Sequence, residues 1–249
     1  MSTTETKLEG LSKKLAGQKV LVIGASSGIG LATARLARRS GAELVLAALD
    51  EHKLGDVGRE LEAPVSAFDV LEPGRVERFF GELDAPVDHV LLTGPGPYYA
   101  RLEELDFERA TRDVEAHLFL PLRVGREAVG RVRAGGTLLF MSAIAGRRVA
   151  PGLAVTPALT AAMPAMAKTM ALELAPIRVN IIAAGFVDTP LSASVLGDQL
   201  DARRRELRDT LPIGRVVEPQ DIAALAVHLM ADTAVTGATF DIDGGEQLL

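Results

Sequence analysis

Short apolar runs and longer segments of helical periodicity take turns along the chain. The apolar runs lie at 19–24 (KVLVIG), 43–48 (ELVLAA), 65–68 (VSAF), 88–93 (DHVLLT), 136–142 (GTLLFMS), 178–183 (RVNIIA) and 239–242 (TFDI). Their lengths and β-branched content suit strands. Between them, near 28–40, 51–61, 73–83, 103–132, 156–175 and 219–231, apolar positions recur at helical spacing, which predicts helices. This alternation is the sign of β-α units feeding a parallel sheet. The expected fold is therefore Rossmann-type α/β: a doubly wound, seven-stranded parallel sheet with helices on both faces.

Two segments depart from that rhythm. The pattern over 103–132 is long for one crossover and contains Pro121, so a kink or break is expected there. After Thr189 a helical stretch without a strand, 190–215, follows the end of the sixth strand. Such an excursion is a candidate substrate lid. Within it, Arg203, Arg204 and Arg205 read as a solvated helix face rather than an anion site. The rest reads as one domain, 1–249, with residues 1–14 a polar N-terminal extension expected to fray.

At 249 residues and 48% hydrophobic content, the chain can build one large core. Its 27 basic and 33 acidic residues are interspersed, so no nucleic-acid partner is expected. There is no cysteine, which excludes disulfides and thiolate chemistry, and no metal site is expected. The N-terminus lacks an apolar signal core, and no run approaches the roughly 18 apolar residues of a membrane span. A soluble, cytoplasmic protein without a membrane partner is the expectation.

The first strand leads into I-G-A-S-S-G-I-G, residues 23 to 30, followed at once by an amphipathic helix. Gly24 permits a tight turn, Gly28 lets backbone approach a pyrophosphate, and Gly30 lets helix pack on strand; the helix N-terminus offers free N–H groups. This loop resembles that of the short-chain dehydrogenase/reductase family, and the likeness extends from Leu15 to Gly245. Asp69-Val70 is similar to that family's adenine-contacting pair. Val179-Asn180 through Gly185, Val187 and Thr189 resembles its nicotinamide-carboxamide segment, and Asp243-Gly244-Gly245 its closing turn. The resemblance implies NAD or NADP as cofactor, held by Gly24, Ser26, Ser27, Gly28, Ile29, Gly30, Leu49, Asp69, Val70, Thr93, Gly94, Pro95, Gly185, Val187 and Thr189.

The resemblance also implies a tyrosine and a lysine four apart on one helix face, a serine at a strand end and an asparagine on the long helix. The matching positions hold Thr156, Thr160, Ala143 (with Ser142 one residue early) and His117. An aliphatic hydroxyl titrates far above a phenol and offers only a hydrogen bond at neutral pH. The chain has two tyrosines, Tyr98 and Tyr99, both after the fourth strand where open α/β sheets bind ligands. Adjacent side chains diverge, so at most one is expected to face the crevice. One of them with His117 is a candidate makeshift proton-transfer pair; loop packing and a hydrogen-bonded helix histidine are the plainer reading. His52, His89 and His228 read as structural or solvated.

Cofactor preference is open, because Ala48 and Leu49 occupy the positions where an acidic or basic ribose selector is expected, with Asp50 and Lys53 nearby. The Ala- and Met-rich 156–175 helix is apolar all round, which predicts core or interface packing; the resemblance implies a homodimer or homotetramer. The leading reading is an oxidoreductase on an unknown small carbonyl or alcohol with a displaced proton donor. A catalytically silent dinucleotide-binding or scaffold homologue, or a redox-neutral enzyme, stands beside it.

Overall fold

The computed structural model describes residues 14–249. The N-terminal extension expected to fray lies, apart from Lys14, outside the described residues. The elements in order are β1 (Lys19–Ile23), α1 (Gly28–Arg39), β2 (Glu43–Ala48), α2 (Glu51–Leu61), β3 (Val65–Ala67), α3 (Arg75–Gly81), β4 (Val87–Leu92), α4 (Phe107–Val114), α5 (Leu120–Ala128), β5 (Val132–Ala143), α6 (Thr156–Glu173), β6 (Arg178–Ala184), α7 (Pro190–Leu196), α8 (Leu200–Thr210), α9 (Pro219–Ala231) and β7 (Thr239–Ile242). The seven strands form one parallel sheet in the order β3-β2-β1-β4-β5-β6-β7. Chain direction across the sheet reverses between β1 and β4, and the strand ends beside that reversal open a crevice.

Alternation along each strand splits the core in two. On β5, Leu138 and Phe140 join the face covered by α3, α5 and α6, whereas Leu139 packs on the face covered by α1, α2 and α9. Both faces are buried, which is why the strands read as nearly continuous apolar runs. The R-V-N segment of β6 is structural at its polar positions. Arg178 is buried and donates from Nη1 to the Leu229 carbonyl (2.8 Å) and from Nη2 to that of Met230 (2.9 Å). It thereby satisfies carbonyls left open at the C-terminus of α9. Asn180 bridges the Val235 carbonyl and the Ala238 N–H, fixing the entry to β7.

The long helical pattern is interrupted as expected, but by a different device from a simple proline kink. A single π turn, Glu115–Phe119, separates α4 from α5, and Pro121 sits in the first turn of α5. Proline has no N–H for the carbonyl of His117, four residues earlier, and a widened turn accommodates the loss. The π turn also re-aims the residues that it carries, His117 among them. The fifth strand begins at Val132, earlier than its apolar run, with an irregular register between the Val87 and His89 pairings.

Candidate active site

Two glycines shape the crevice at the end of β1. Gly24 has φ +96°, and a Cβ there would lie 1.9 Å from Thr93 Oγ1 and 2.8 Å from the Thr93 carbonyl oxygen. A Cβ on Gly30 would lie 2.1 Å from the carbonyl oxygen of Gly24. Gly28 differs: its φ is +53°, and an added Cβ would meet only the Thr189 and Pro190 side chains, at 3.5 Å or more. That side of Gly28 opens on a cavity of about 540 Å³. Ser27 at the N-cap of α1 makes no side-chain cap hydrogen bond, so the first-turn N–H groups are left for an anion. The cradle thus fits a diphosphate.

The same cavity is lined by Ser26, Ser27, Ile29, Leu49, Asp69, Val70, Thr93, Gly94, Pro95 and Thr189, all named from the sequence. It also takes in Arg109 and Arg112 of α4, which sequence reasoning missed; Arg112 lies 3.4 Å from Asp69 Oδ2. At the β2 end, Leu49 is 71% exposed. Asp50 accepts the Lys53 N–H at 3.0 Å as the N-cap of α2, and its carboxylate pairs with the Lys53 ammonium at 3.0 Å. These two charges that follow β2 are therefore engaged with each other.

A second cavity of about 380 Å³ adjoins the first, sharing Thr93, Gly94, Pro95, Asp113 and Thr189 as its wall. Gly185 and Val187 line this second cavity rather than the first. Its surface is largely apolar, with Met141, Leu159, Met163 and Phe186, and its polar groups include Ser142, Thr156, Thr160, His117 and Tyr99, beside Asp113 and Arg203. Thr156 is buried, with Oγ1 3.5 Å from the Tyr98 carbonyl oxygen. The Thr160 hydroxyl donates back to the Thr156 carbonyl at 2.9 Å, a common way for a helical threonine to spend its proton.

Tyr98 and Tyr99 diverge, but each lines a cavity of the crevice, where at most one was expected to face it. The Tyr98 hydroxyl accepts the Asp106 N–H at 3.1 Å, and the Arg109 guanidinium lies 4.3 Å over its ring; it borders the first cavity. Tyr99 turns into the second cavity. Burial pushes its phenol above the ordinary value, and the nearby Asp113 carboxylate adds to the push.

His117 projects from the π turn into the second cavity. Its Nδ1 lies 3.0 Å from both the carbonyl oxygen and Oδ1 of Asp113, and its Nε2 lies 3.1 Å from the Pro95 carbonyl oxygen. Burial works against the imidazolium, but Asp113 and the Pro95 carbonyl outweigh it, so the His117 pKa is raised. Asp113 is 5% exposed and was not picked out from the sequence. The available signal was its place four residues before His117, on the same helix face.

The helical segment after Thr189 covers this cavity through Leu191, Ser192, Val195, Leu196 and Arg203. The arginine cluster is not the solvated face expected. Arg203 donates to the buried carboxylate of Glu246 at 2.6 Å, and Arg204 forks onto Asp188 with two 2.8 Å bonds, while Arg205 faces solvent. Glu246 also accepts from Arg148 and from the Phe186 N–H, and no motif marked it. Among the described residues, no group of three or more His, Asp or Glu side chains is placed to hold a metal ion, and no helix is long and apolar enough to cross a membrane.

A family model described as Enoyl-(Acyl carrier protein) reductase matches residues 24–247. A short-chain dehydrogenase/reductase of Stachybotrys chlorohalonatus is 29% identical, over 93% of this chain and 97% of its own. A cis-4-hydroxycyclohexanecarboxylate dehydrogenase of Sinomonas cyclohexanicum is 32% identical, over 94% of this chain and 98% of its own. The solved structure of a small-chain dehydrogenase in complex with NADPH superposes with a TM-score of 0.81 at 25% identity, covering 93% of this chain and 99% of that one. These matches span the glycine loop, the strand order and the closing turn together, and the chain belongs to the short-chain dehydrogenase/reductase family.

Proposed function

We propose that this chain is an NAD(P)-dependent oxidoreductase acting on a carbonyl or alcohol, with Tyr99 as its proton donor. The observation that carries the reading is the junction of the two cavities along Thr93, Gly94, Pro95 and Thr189, with a phenol on the substrate side. The names of its relatives and the NADPH-bound neighbour point the same way.

The chemistry that a bound nicotinamide supplies is hydride transfer. The N–H groups at the start of α1 would hold the diphosphate, Asp69 and Val70 the adenine, and Gly185, Val187 and Thr189 the carboxamide side. Thr156 and Thr160 stand where the family likeness places tyrosine and lysine; as aliphatic hydroxyls they bond without exchanging a proton at neutral pH. Tyr99 keeps its proton at neutral pH, so it is suited to donate to a carbonyl oxygen as that oxygen gains negative charge. Ser142 offers a hydroxyl on the same wall, and the His117 imidazole, its pKa raised against burial by Asp113 and the Pro95 carbonyl, lines the same cavity. Solvent at the outer part of Tyr99, which is 47% exposed, returns the proton.

One observation favours a second reading, a catalytically silent dinucleotide-binding homologue: the Thr160 hydroxyl is bonded to backbone carbonyls of its own helix. Fluorescence titration with NADH and NADPH, followed by a carbonyl panel, separates the two. Binding with turnover supports the oxidoreductase, binding without turnover the silent homologue, and absence of binding contradicts both. As parts of the same proposal, α7 and α8 serve as the substrate lid, and the protein works in the cytoplasm. Phe119, Leu122 and Leu172, exposed on the π turn, α5 and α6, belong to a homodimer or homotetramer interface.

A further inference from the structure

We propose that Asp113 is a positioning residue: it holds His117 as a doubly donating imidazolium, and the pair ties the 93–99 loop to the α4–α5 helix pair so that Tyr99 faces the substrate cavity. The inference deepens the oxidoreductase reading, because Tyr99 is the donor in that reading.

A neutral imidazole has one N–H and one lone pair. Here Nδ1 faces the Asp113 carbonyl and carboxylate oxygens and Nε2 faces the Pro95 carbonyl oxygen, all of which only accept. Either neutral tautomer would set a lone pair against an oxygen, whereas the cation donates at both ends. The carboxylate has the matching need. Asp113 Oδ1 accepts the Tyr98 N–H at 3.2 Å, while Oδ2 is buried without a partner. A buried carboxylate so poorly served by hydrogen bonds requires a neighbouring positive charge.

Two arms reach the loop from this pair. His117 Nε2 binds the Pro95 carbonyl, and Asp113 Oδ1 binds the Tyr98 amide. They grip the loop on both sides of Gly96-Pro97 and fix the backbone directly before Tyr99. The segment so held, Gly94-Pro95, is also the wall shared by the two cavities. The π turn is what presents His117 to that loop. The charged and titratable groups that line the cavity with His117 are Asp113 on its own helix, Tyr99 on the loop, and Arg203 from α8; Arg109 and Arg112 of α4 line the adjoining cavity beside Asp113, and α6 contributes the neutral Thr156 and Thr160. Arg203 is paired with Glu246, which leaves Asp113 to set the histidine's charge.

The test is the titration of His117, followed by NMR of its ring protons in the full chain, where four histidines make assignment by substitution direct. Fluorotyrosine labelling of Tyr98 and Tyr99 reports the loop in parallel. The wild-type His117 midpoint lies above that of an ordinary histidine, and the Tyr99 fluorine signal moves with the same midpoint. In Asp113→Asn the midpoint falls by about one to three pH units, and the Tyr99 signal follows it down. His117→Gln, a neutral side chain, abolishes the pH step in the Tyr99 signal and serves if Asp113→Asn does not fold. An unshifted His117 midpoint in folded Asp113→Asn, or a Tyr99 pH step that survives His117→Gln, overturns the proposal. Neither readout requires cofactor or turnover, so its failure is distinct from that of the oxidoreductase reading. If both readings hold, dinucleotide affinity falls as pH rises through the His117 midpoint, and Asp113→Asn moves that fall to lower pH.

Discussion

Arg203 Nη2 lies 2.6 Å from Glu246 Oε1, joining a helix of the segment after Thr189 to the turn after β7. Glu246 is 6% exposed and takes a second guanidinium, Arg148, on the same oxygen. Arg203→Met leaves Glu246 paired with Arg148 and the fold intact, so hydrogen exchange across 200–210 accelerates while the sheet is unaffected. Glu246→Gln strips the charge from between two guanidiniums and costs about 1–3 kcal/mol, less than breaking a fully buried pair, since both arginines keep solvent contact. Unchanged exchange in Arg203→Met would show that this ion pair does not hold the segment down.

The glycines of the first loop predict two separable phenotypes. In Gly30→Ala the new methyl meets backbone, the Gly24 carbonyl, which has no room to yield; stability and dinucleotide binding are lost together. Gly28→Ala meets only side chains at ordinary contact distance and carries the left-handed penalty of about 1 kcal/mol. Its methyl, however, projects toward Thr189 and Pro190, which line the first cavity with it, the cavity proposed to hold the diphosphate. Chemical denaturation together with NADH and NADPH titration checks the contrast: a small stability loss with at least about a tenfold affinity loss, some 1.4 kcal/mol, for Gly28→Ala.

The sheet was legible because its strands are buried on both faces and announce themselves as apolar runs. The glycine loop was legible because steric exclusion at Gly24 and Gly30 leaves one residue type. Less of the substrate side could be read. The arginines of α8 look alike in sequence, and only the fold sends Arg203 and Arg204 inward to Glu246 and Asp188. Asp113 was hidden in a helix rich in charge, where its spacing from His117 is one ordinary helical pair among several. The π turn that aims His117 leaves no mark beyond Pro121, whose missing N–H is compatible with a kink as well.

Protonation of Tyr99 sets a direction. Because burial and Asp113 raise its pKa, the phenol at neutral pH is an acid, ready for carbonyl reduction, and its phenolate, the base for alcohol oxidation, is scarce. Below the His117 midpoint and with dinucleotide saturating, reduction is therefore flat and falls at higher pH, whereas oxidation gains phenolate as pH rises. Initial rates in both directions from pH 6 to 10 check this; parallel profiles would place the proton transfer elsewhere.

His89 gives the fold an acid limit. It is 3% exposed, its Nε2 lies 2.7 Å from Gln18 Oε1, and burial lowers its pKa to about 4, with Asp88 opposing and Arg178 assisting. A histidine neutral when folded and protonated when unfolded contributes stability that is complete above its unfolded pKa near ~6.5 and drains away as pH falls toward about 4. The shift corresponds to roughly 3 kcal/mol. Urea denaturation at neutral and acid pH should show a steeper loss for wild type than for His89→Gln, and equal slopes would mean that His89 protonates freely in the fold.

The central claim, that this cleft runs hydride chemistry with a proton from the loop after β4, is tested most directly by paired tyrosine variants. Carbonyl reduction with the preferred dinucleotide is measured for Tyr98→Phe and Tyr99→Phe, with dinucleotide affinity measured alongside. The account predicts that Tyr99→Phe loses about 10²- to 10⁴-fold in kcat at unchanged cofactor affinity, while Tyr98→Phe, which loses one loop hydrogen bond, stays within a few-fold. Full turnover in Tyr99→Phe would contradict it.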